Sequence, residues 1–382
     1  MVGRVRRGIA AAALGLLLAG CATFPDHGPR DWRAKPEGQG ELGGPPAIPD
    51  TTPPTPPPGP PGGAPQGDPG QPAGCVDPDP QVVATCLEPV GAITVLPDGE
   101  SALVGERTTG RVLQVAADRR PELVATLPVD ATGGGGLTGL VLSPAYDEDQ
   151  LVYAYTTTPQ DNRVVRIAPG DAPEPVFTGI PRGATNNGGA LAVDAQGALL
   201  VATGDAGDPA GPGLAGKVLR IDTLGRPASG NPEPASPVLS SGLHAPGGIC
   251  TGPDGPTTWI TDRAPGRDVL HRLAPGPLTE PAWTWPDRPG VAGCMAGEGA
   301  VVVAETGDEA AFVLRPGPDG AFTGRPETVL DGVYGRLSAA TPGPDGLLWL
   351  GTVNKLPGGE PVPSDDRVVR IQPPAGGGGS AA

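Results

Sequence analysis

The chain has few aromatic residues and few histidines. Of its 382 residues only 3% are Phe, Trp or Tyr, and only three are His. So few histidines argue against a histidine-rich metal centre, and the cysteine spacings match no zinc pattern. Glycine and proline are abundant instead, with 63 and 53 residues. This composition predicts many short strands joined by tight turns, together with at least one segment that does not fold.

Basic residues are outnumbered by acidic ones. The sequence contains 26 Lys and Arg against 42 Asp and Glu, which gives a formal net charge of −16 at pH 7. Nucleic acids and anionic lipid surfaces both attract proteins through clustered Lys and Arg side chains. The charge therefore argues against both as partners and is typical of a protein that stays soluble outside the cell.

Long apolar runs are scarce, and the clearest one lies near the N-terminus, from Ile9 to Leu18. It follows three arginines and is too short to span a bilayer comfortably, so residues 1–20 are predicted to be a signal peptide. The run ends in Leu18-Ala19-Gly20-Cys21, which resembles the bacterial lipobox. We expect Cys21 to carry a lipid that anchors the protein to the cell membrane, with its body outside the cytoplasm. An ordinary secretory signal, with Cys21 incidental, is the alternative.

Residues 21–74 have the composition of a tether. They are rich in proline and glycine and have almost no periodic apolar positions. Such a segment cannot bury enough apolar surface to offset the entropy lost on ordering. We predict a disordered, partly extended spacer after the lipidated cysteine. Residues 375–382 are predicted to be a disordered tail.

Four cysteines remain once Cys21 is assigned to lipidation. They are Cys75, Cys86, Cys250 and Cys294. An even number of cysteines in an exported protein predicts two disulfides. Composition alone leaves all three pairings open.

Residues 75–374 contain a repeat. A short apolar strand, Gly91 to Val95, leads through the turn Pro97-Asp98-Gly99 to a second strand, and a third strand follows. The turn recurs at intervals of about 50 residues, a period typical of propeller blades. The recurrences are centred on Asp147, Gln196, Asp254, Glu298 and Asp345. Six turns predict an all-β fold, a six-bladed β-propeller.

The repeat register also predicts how the ring closes. The sequence after Ile371 runs into prolines, so the last blade lacks a fourth strand of its own. The segment from Gln81 to Cys86 has the character of the fourth strands and is predicted to complete blade six, removing its exposed edge. A Cys75–Cys86 disulfide would fasten this closing strand. The register puts Cys250 and Cys294 at equivalent positions of neighbouring inner strands, which predicts a second disulfide.

Several turn-and-strand motifs occur in a fairly specific order. They are Gly136–Leu140, Gly188–Leu191, Thr203-Gly204-Asp205, Gly216–Asp222, Gly230-Asn231-Pro232 and Gly335-Arg336-Leu337. In this order, over roughly Val90 to Pro373, they resemble the pyrroloquinoline-quinone (PQQ)-dependent glucose/sorbosone dehydrogenases. The resemblance implies a PQQ cofactor, a calcium ion held against it, and oxidation of an aldose sugar.

The residues that the resemblance would make functional are largely altered. The family's general base, a histidine, falls on Asn186, and an amide cannot accept the proton. His244 falls where the family has an arginine, and we consider it as a substitute base or cofactor contact. Of the cofactor anchors, Arg336 is kept, Ser338 replaces a second arginine, and Gly307 replaces a lysine.

Further candidates follow from the same resemblance. The calcium ion would fall on Asp262 and Asp268, whose stretch offers the oxygen ligands that a hard cation prefers. Two arginines interleave there, so a solvated loop is the alternative. Asn187 is a candidate cofactor contact. Asp205 and the nearby Asp208 are either ordinary turn residues or contacts to a metal or sugar.

These departures favour a monomeric propeller that binds a small sugar or cell-wall glycan in its central pocket, with redox activity lost or altered. An active PQQ-dependent aldose dehydrogenase is the alternative, and a protein-binding propeller is a lesser one. Of the other two histidines, His27 falls in the predicted tether and His271 is predicted to be a surface residue of a third strand.

Overall fold

The computed structural model describes residues 75–374, apart from residues 210, 212, 253–256, 298, 318–320 and 323–324. The predicted signal peptide, Cys21, the tether and the tail lie outside the described residues. So do the turn residues Asp254 and Glu298. Within the described part, no helix is long and apolar enough to cross a membrane.

The described chain forms six small sheets, which we call blades 1 to 6 in chain order. A separate first strand, β1 (Val82–Ala84), precedes them. Blade 1 contains β2 (Val90–Val95), β3 (Ser101–Glu106), β4 (Arg111–Ala116) and β5 (Glu122–Thr126). Blade 2 contains β6 (Leu137–Leu142), β7 (Val152–Thr157), β8 (Asn162–Ile167) and β9 (Glu174–Ile180). Blade 3 contains β10 (Gly189–Val193), β11 (Leu199–Thr203), β12 (Lys217–Ile221) and β13 (Val238–Ser241).

The second half of the ring repeats this arrangement. Blade 4 contains β14 (Pro246–Thr251), β15 (Thr258–Ala264), β16 (Arg267–Arg272) and, after the two-residue strand β17 (Gly276–Pro277), β18 (Trp283–Trp285). Strand β17 pairs in parallel with β13 at the outer edge of blade 3. Blade 5 contains β19 (Val291–Gly297), β20 (Ala300–Glu305), β21 (Ala310–Leu314) and β22 (Glu327–Val329). Blade 6 contains β23 (Leu337–Pro342), β24 (Leu348–Thr352) and β25 (Val368–Ile371).

Acidic tight turns join inner strands to second strands. In blade 1 the Asp98 carboxylate accepts hydrogen bonds from the backbone N–H groups of Glu100 and Ser101, both at 2.9 Å. Gly99 takes the positive φ of 69° that closes this turn. The connection at Asp147 differs from the predicted tight turn, because α1 (Tyr146–Asp149) forms one helical turn there.

The inner strands surround a common axis. Strands β2, β6, β10, β14, β19 and β23 each contact the next, and β23 contacts β2 again. Between every pair of neighbouring blades lies one cluster of buried, mostly aliphatic side chains. The core is therefore divided into six layers between blades. The predicted six-bladed β-propeller is confirmed.

The ring closes as the sequence predicts. Strand β1 pairs antiparallel with β25, with Val82 opposite Val369, so the N-terminal strand completes blade 6. A Cys75–Cys86 disulfide brackets β1, with a Cα–Cα distance of 5.5 Å. The Cys250–Cys294 disulfide joins the inner strands of blades 4 and 5, with a Cα–Cα distance of 5.6 Å. Both predicted pairings are confirmed.

Candidate functional site

The segments that lead into the six inner strands converge at one mouth of the axis, which we call the upper mouth. A cavity of about 390 Å³ opens there, lined among others by Arg107, Asn186, His244, Arg263 and Arg288. An adjoining cavity of about 80 Å³ is also lined by Arg107 and Arg263. Its other lining residues include Arg336 and Ser338. We call the two spaces together the upper cavity.

A second cavity on the axis differs in chemistry. It has a volume of about 310 Å³ and lies between the inner strands themselves. Its lining consists of glycine, small aliphatic and hydroxyl side chains and the cysteines Cys250 and Cys294, with no charged group among the described residues. Charged ligands are therefore expected at the upper cavity.

Four arginines from four blades meet at the upper cavity, and we call them the arginine cluster. Arg107 follows β3 of blade 1, Arg263 lies in β15 of blade 4, and Arg288 and Arg336 precede the inner strands of blades 5 and 6. Burial, together with the charges of Arg263 and Arg336, lowers the pKa of Arg107 to about 10. Burial also lowers the pKa of Arg263; the charges of Asp268 and Asp262 oppose this shift, and the neighbouring arginines add to it. With a pKa of about 10, Arg107 remains cationic at neutral pH.

The cluster is held in place by neutral groups. Arg107 donates hydrogen bonds from Nε to the Gly135 carbonyl at 3.0 Å and from Nη2 to the Gly134 carbonyl. Arg336 donates from Nε to the Thr306 carbonyl at 3.3 Å. Arg263 Nε is buried and has no hydrogen-bond partner in the part of the chain that the structure describes.

The cluster has no close carboxylate partner. Among the described residues, none of the four arginines forms an ion pair with a carboxylate. The charges of Asp268 and Asp262 raise the pKa of Arg263 but do not outweigh its burial. Arg107, Arg263 and Arg336 are half-buried and Arg288 is exposed, so the upper cavity offers guanidinium groups that can bind an anion through charge-assisted hydrogen bonds.

A hydrogen-bonded group of three side chains lies at the same cavity. His244 Nδ1 contacts Asp205 Oδ2, and Asn186 Nδ2 donates to Asp205 Oδ1 at 2.9 Å. Asn186 Nδ2 also lies 3.2 Å from His244 Nε2. Asp205 is buried, whereas 26% of the His244 side chain is exposed, so a ligand in the cavity can reach the imidazole.

Local backbone geometry brings Asn186 to this position. Asn186 has a φ of 55°, a left-handed conformation that asparagine tolerates better than most residues. Its carbonyl oxygen passes so close to Gly204 that a Cβ on Gly204 would lie 1.8 Å from it. Only glycine fits at residue 204, and this close approach sets Asn186 beside Asp205.

The comparisons with known proteins agree with this architecture. A model of the glucose/sorbosone dehydrogenase family matches residues 87–287. An aldose sugar dehydrogenase from Streptomyces coelicolor, solved in its PQQ-bound form, is 32% identical with a TM-score of 0.72. That match covers 77% of this chain and 96% of the Streptomyces chain. The chain belongs to the glucose/sorbosone dehydrogenase family.

Two further structures extend the likeness. A proposed oxidoreductase (glucose dehydrogenase) from Thermus thermophilus is 31% identical, with a TM-score of 0.70, and covers 76% of this chain and 98% of its own. The soluble aldose sugar dehydrogenase from Escherichia coli, in its apo form, is 20% identical with a TM-score of 0.64. It covers 77% of this chain and 99% of its own and shows the shared fold alone. No curated protein matches the chain.

Several cofactor contacts predicted for this glucose/sorbosone dehydrogenase family member have other partners. Asn187 is fully buried, and its side-chain Nδ2 donates to the carbonyl oxygens of Gly183 and Gly133, at 2.9 and 3.2 Å. It fastens the wall of the upper cavity and does not line it. Ser338 lines the cavity, but its Oγ lies 2.6 Å from the Val90 carbonyl oxygen, with which it hydrogen-bonds.

The position of the family's lysine is also closed. Gly307 lies in the turn after β20, and its backbone N–H donates to the Pro289 carbonyl at 2.7 Å. A Cβ on Gly307 would approach that carbonyl oxygen to 2.8 Å, which leaves too little room for a side chain. The cationic side chains that line the upper cavity of this family member are those of the arginine cluster.

The predicted calcium pair, Asp262 and Asp268, is not brought together. In the pairing of β15 with β16, Asp262 lies opposite Val269 and Asp268 lies opposite Arg263. Since side chains alternate between the faces of a sheet, the two carboxylates point to opposite faces of blade 4. Within the described residues, no group of three or more His, Cys, Asp and Glu side chains is arranged to hold a metal ion.

Each of these carboxylates instead fixes the start of an inner strand. Asp262 accepts hydrogen bonds from the backbone N–H groups of His244 and Ala245, the shortest at 2.9 and 2.7 Å. Burial raises the pKa of Asp262 to about 6, although these hydrogen bonds and the charges of His244 and Arg263 oppose the rise. Asp268 accepts from the N–H groups leading into β19 in the same way.

The prediction that His271 is a surface residue is wrong. It lies on the third strand of blade 4 as expected, but only 5% of it is exposed. Burial, with the charge of Arg267, lowers the pKa of His271 to about 4, so the ring is neutral at pH 7. Its Nε2 lies 4.0 Å from Asp262 Oδ2 without forming an ion pair of opposite charges. Asp208 is exposed in the turn after Asp205 and does not line the cavity.

Sequence reasoning missed three of the four arginines. Arg107 and Arg288 belong to no motif, and Arg263 was considered only as a residue that argues against a calcium-binding loop. A signal did exist, since each lies within a few residues of the predicted start of an inner strand or end of a second strand. These positions predict a shared site only once the closed ring shows that the strand ends meet at one mouth.

Proposed function

We propose that this chain is an exported, lipid-anchored member of the glucose/sorbosone dehydrogenase family whose upper cavity binds a carboxylate-rich ligand, with altered redox chemistry. The arginine cluster carries this proposal. Four guanidinium groups that form no ion pair with a described carboxylate would bind an anion with several carboxylates far better than a neutral sugar alone.

PQQ, a tricarboxylate, fits this donor set. Arg336 keeps its predicted role as an anchor, while Arg107 and Arg263 would replace the cations lost at Ser338 and Gly307. Arg263 lines both parts of the upper cavity, so its guanidinium group is placed to donate to such a ligand. When bound, the quinone supplies a hydride acceptor. The calcium ion that accompanies PQQ in the family does not fit the pair Asp262 and Asp268.

The chain's own residues would bind and orient a second, neutral ligand beside the anion. Asn186 and His244 border the same cavity and offer a hydrogen-bond donor and an imidazole. A small sugar or the end of a cell-wall glycan has the hydroxyl groups that such residues bind. We therefore propose an aldose or glycan as the substrate class.

Direct titration with PQQ tests the proposal. The full chain in detergent is titrated with PQQ, and binding is followed by calorimetry and by the quinone absorbance. Arg107→Gln is expected to weaken binding about tenfold or more, because a hydrogen bond to a charged group contributes about 1.5–3 kcal/mol. Arg226→Gln is the matched control, since Arg226 is exposed and paired with Asp222 away from the cavity.

Two outcomes would contradict the proposal. Failure of the wild-type chain to bind PQQ at high micromolar concentration would remove PQQ as the ligand. Equal loss of affinity in Arg107→Gln and Arg226→Gln would mean that binding depends on overall charge and not on the upper cavity. A dye-linked aldose assay of the PQQ-loaded chain then measures how much redox activity is present.

A further inference from the structure

We propose that His244, oriented by Asp205 and Asn186, is the base that accepts a hydroxyl proton from the substrate in the upper cavity. The inference rests on the proposed function, which supplies the hydride acceptor. It assigns to blade 4 a role that the family resemblance assigns to the position of Asn186 in blade 3.

The hydrogen bonds select one form of the imidazole. Asp205 is an acceptor, so the Nδ1 atom that contacts it carries the proton. Asn186 Nδ2 has two hydrogens, one directed to Asp205 Oδ1 at 2.9 Å and the other to His244 Nε2 at 3.2 Å. Nε2 is therefore left as the acceptor, which is the state that a general base requires.

Hydrogen bonds also fix the backbone of His244. Its N–H donates to the buried Asp262 carboxylate at 2.9 Å, and its carbonyl accepts from the Asp205 N–H at 2.9 Å. Asp205 thus forms hydrogen bonds with both the main chain and the side chain of His244. Such orientation reduces the motion that a base must lose before proton transfer.

The imidazole of His244 lies in the same cavity as Asn186. Nε2 lies in direct contact with the side chain of Asn186, the residue predicted to replace the family's histidine. Both residues line the cavity that also contains Arg107 and Arg263. A substrate hydroxyl that displaces the Asn186 hydrogen bond would meet Nε2 beside the proposed anion site.

The chemical step balances without any further group. The O–H bond of the substrate breaks, and its proton forms a bond to His244 Nε2. The C–H bond on the same carbon would break, and a bound quinone would supply the acceptor for the hydrogen and its electron pair. A C=O bond forms, so the alcohol carbon is oxidised by two electrons and the quinone is reduced by two.

The first test is spectroscopic and needs no cofactor. The chain has only three histidines, so the imidazole nitrogens of the ¹⁵N-labelled full chain can be assigned with His27→Gln and His244→Gln variants. We expect neutral His244 to be protonated at Nδ1, and Asp205→Asn to shift it towards Nε2. A ring protonated at Nε2 in the wild-type chain would overturn the inference.

The second test is kinetic. In the PQQ-loaded chain, His244→Gln is expected to lower kcat for aldose oxidation by about 10²–10⁴-fold, the usual contribution of a general base. Binding of PQQ itself should stay within about threefold of the wild type, because the arginine cluster is unchanged. Asp205→Asn should lower kcat and shift its pH profile, and His27→Gln serves as the control.

The outcomes separate this inference from the proposed function. Turnover by His244→Gln at the wild-type rate, or bound PQQ without turnover in the wild type, would overturn the role of His244 and leave PQQ binding intact. Absence of PQQ binding would overturn the proposed function, while the tautomer measurement still decides whether His244 is set up as a base.

Discussion

At the scale of single residues, two buried glutamates end the second strands of blades 1 and 5. Glu106 lies opposite Val90, and Glu305 lies opposite Val291. Glu106 accepts hydrogen bonds from Arg111 Nε at 2.6 Å and from the Glu88 N–H at 3.0 Å. The two positions are equivalent in the repeat, but their surroundings are opposite in charge.

Glu305 lacks the backbone hydrogen-bond donor that Glu106 has. The residue equivalent to Glu88, two before the inner strand, is Pro289, which has no N–H group. The N–H groups of Gly290 and Val291 already donate to Asp268. Within the described residues, Glu305 Oε1 is consequently buried without a hydrogen-bond partner.

Glu305→Gln is expected to remove a pH dependence of stability. Burial, with the charges of Asp308, Asp287 and Asp268, raises the pKa of Glu305 to about 8. The folded state then holds a proton that the unfolded state has lost, so the stabilising contribution declines as pH rises from about 4.5 to about 8. The slope is at most about 1.4 kcal/mol per pH unit. Urea unfolding of both proteins between about pH 5 and about pH 9 measures it.

Glu106→Gln is the matched control with the opposite sign. Burial alone would raise the pKa of Glu106, but hydrogen bonds from Arg111, Thr109 and the Glu88 N–H outweigh it and lower the pKa. Its contribution is present above the unfolded pKa and declines as pH falls. Replacement should therefore destabilise the protein at neutral pH. If the unfolding free energy of Glu305→Gln varied with pH as steeply as that of the wild type, Glu305 would be ionised in the folded state.

Residue-scale features were the hardest to predict from sequence. Asn186, His244 and Arg336 were identified because a family motif marks their positions, and all three line the upper cavity. Arg107 belongs to no such motif, since only closure of the ring directs the ends of blades 1 and 4 to the same mouth of the axis. The face to which Asp262 and Asp268 point depends on the register of one strand pair, which spacing alone did not reveal.

At the scale of elements, β1 is a short edge strand whose pairing closes the ring. It has three residues, pairs on one side only, and is bracketed by the Cys75–Cys86 bridge. Without it, β25 would present unpaired N–H and C=O groups at an open edge.

Cys86→Ser is expected to destabilise blade 6 selectively. Loss of a native disulfide typically costs about 2–4 kcal/mol. Amide hydrogen exchange should become faster in β1 and β25 while β14 and β19 keep their protection. Cys294→Ser is the matched control and should loosen blades 4 and 5 instead. Uniform acceleration across all six blades in Cys86→Ser would contradict a local role for the bridge.

Elements were largely predictable, and the reasons are physical. The alternation of apolar side chains along a strand and the recurring Asp and Gly turns depend only on nearby residues. Strands β2, β3, β10 and β24 could therefore be predicted directly from the repeats. The four-residue helix α1 was missed because a helical turn and a tight turn draw on similar acidic residues. Short outer strands such as β17 form only because a neighbouring blade offers an edge.

At the scale of the whole molecule, the proposed lipid anchor predicts where the protein is found. Cys21→Ser should move the chain from the detergent-extractable membrane fraction to the soluble extracytoplasmic fraction, because a serine cannot carry the thioether-linked lipid. Cell fractionation followed by immunoblotting measures this. Cys86→Ser, a serine replacement elsewhere in the same chain, should stay with the membrane. Equal membrane retention of both variants would contradict anchoring at Cys21.

The whole-molecule architecture was predictable because a propeller is a sum of repeats. One blade cannot bury its own faces, so six blades must stack around an axis, and the six apolar clusters between blades follow from that need. The charge of the upper cavity was not predictable in the same way. A net charge of −16 gives no hint that four arginines gather at one mouth.

The pairing of β1 with β25 also sets an order of events as the chain is made and folds. A strand that is synthesised early must wait for a partner that is synthesised late. Blade 6 can be completed only after every intervening blade has been made. A prematurely terminated chain would keep an unpaired strand edge, so closure of the ring distinguishes the whole propeller from a truncated one.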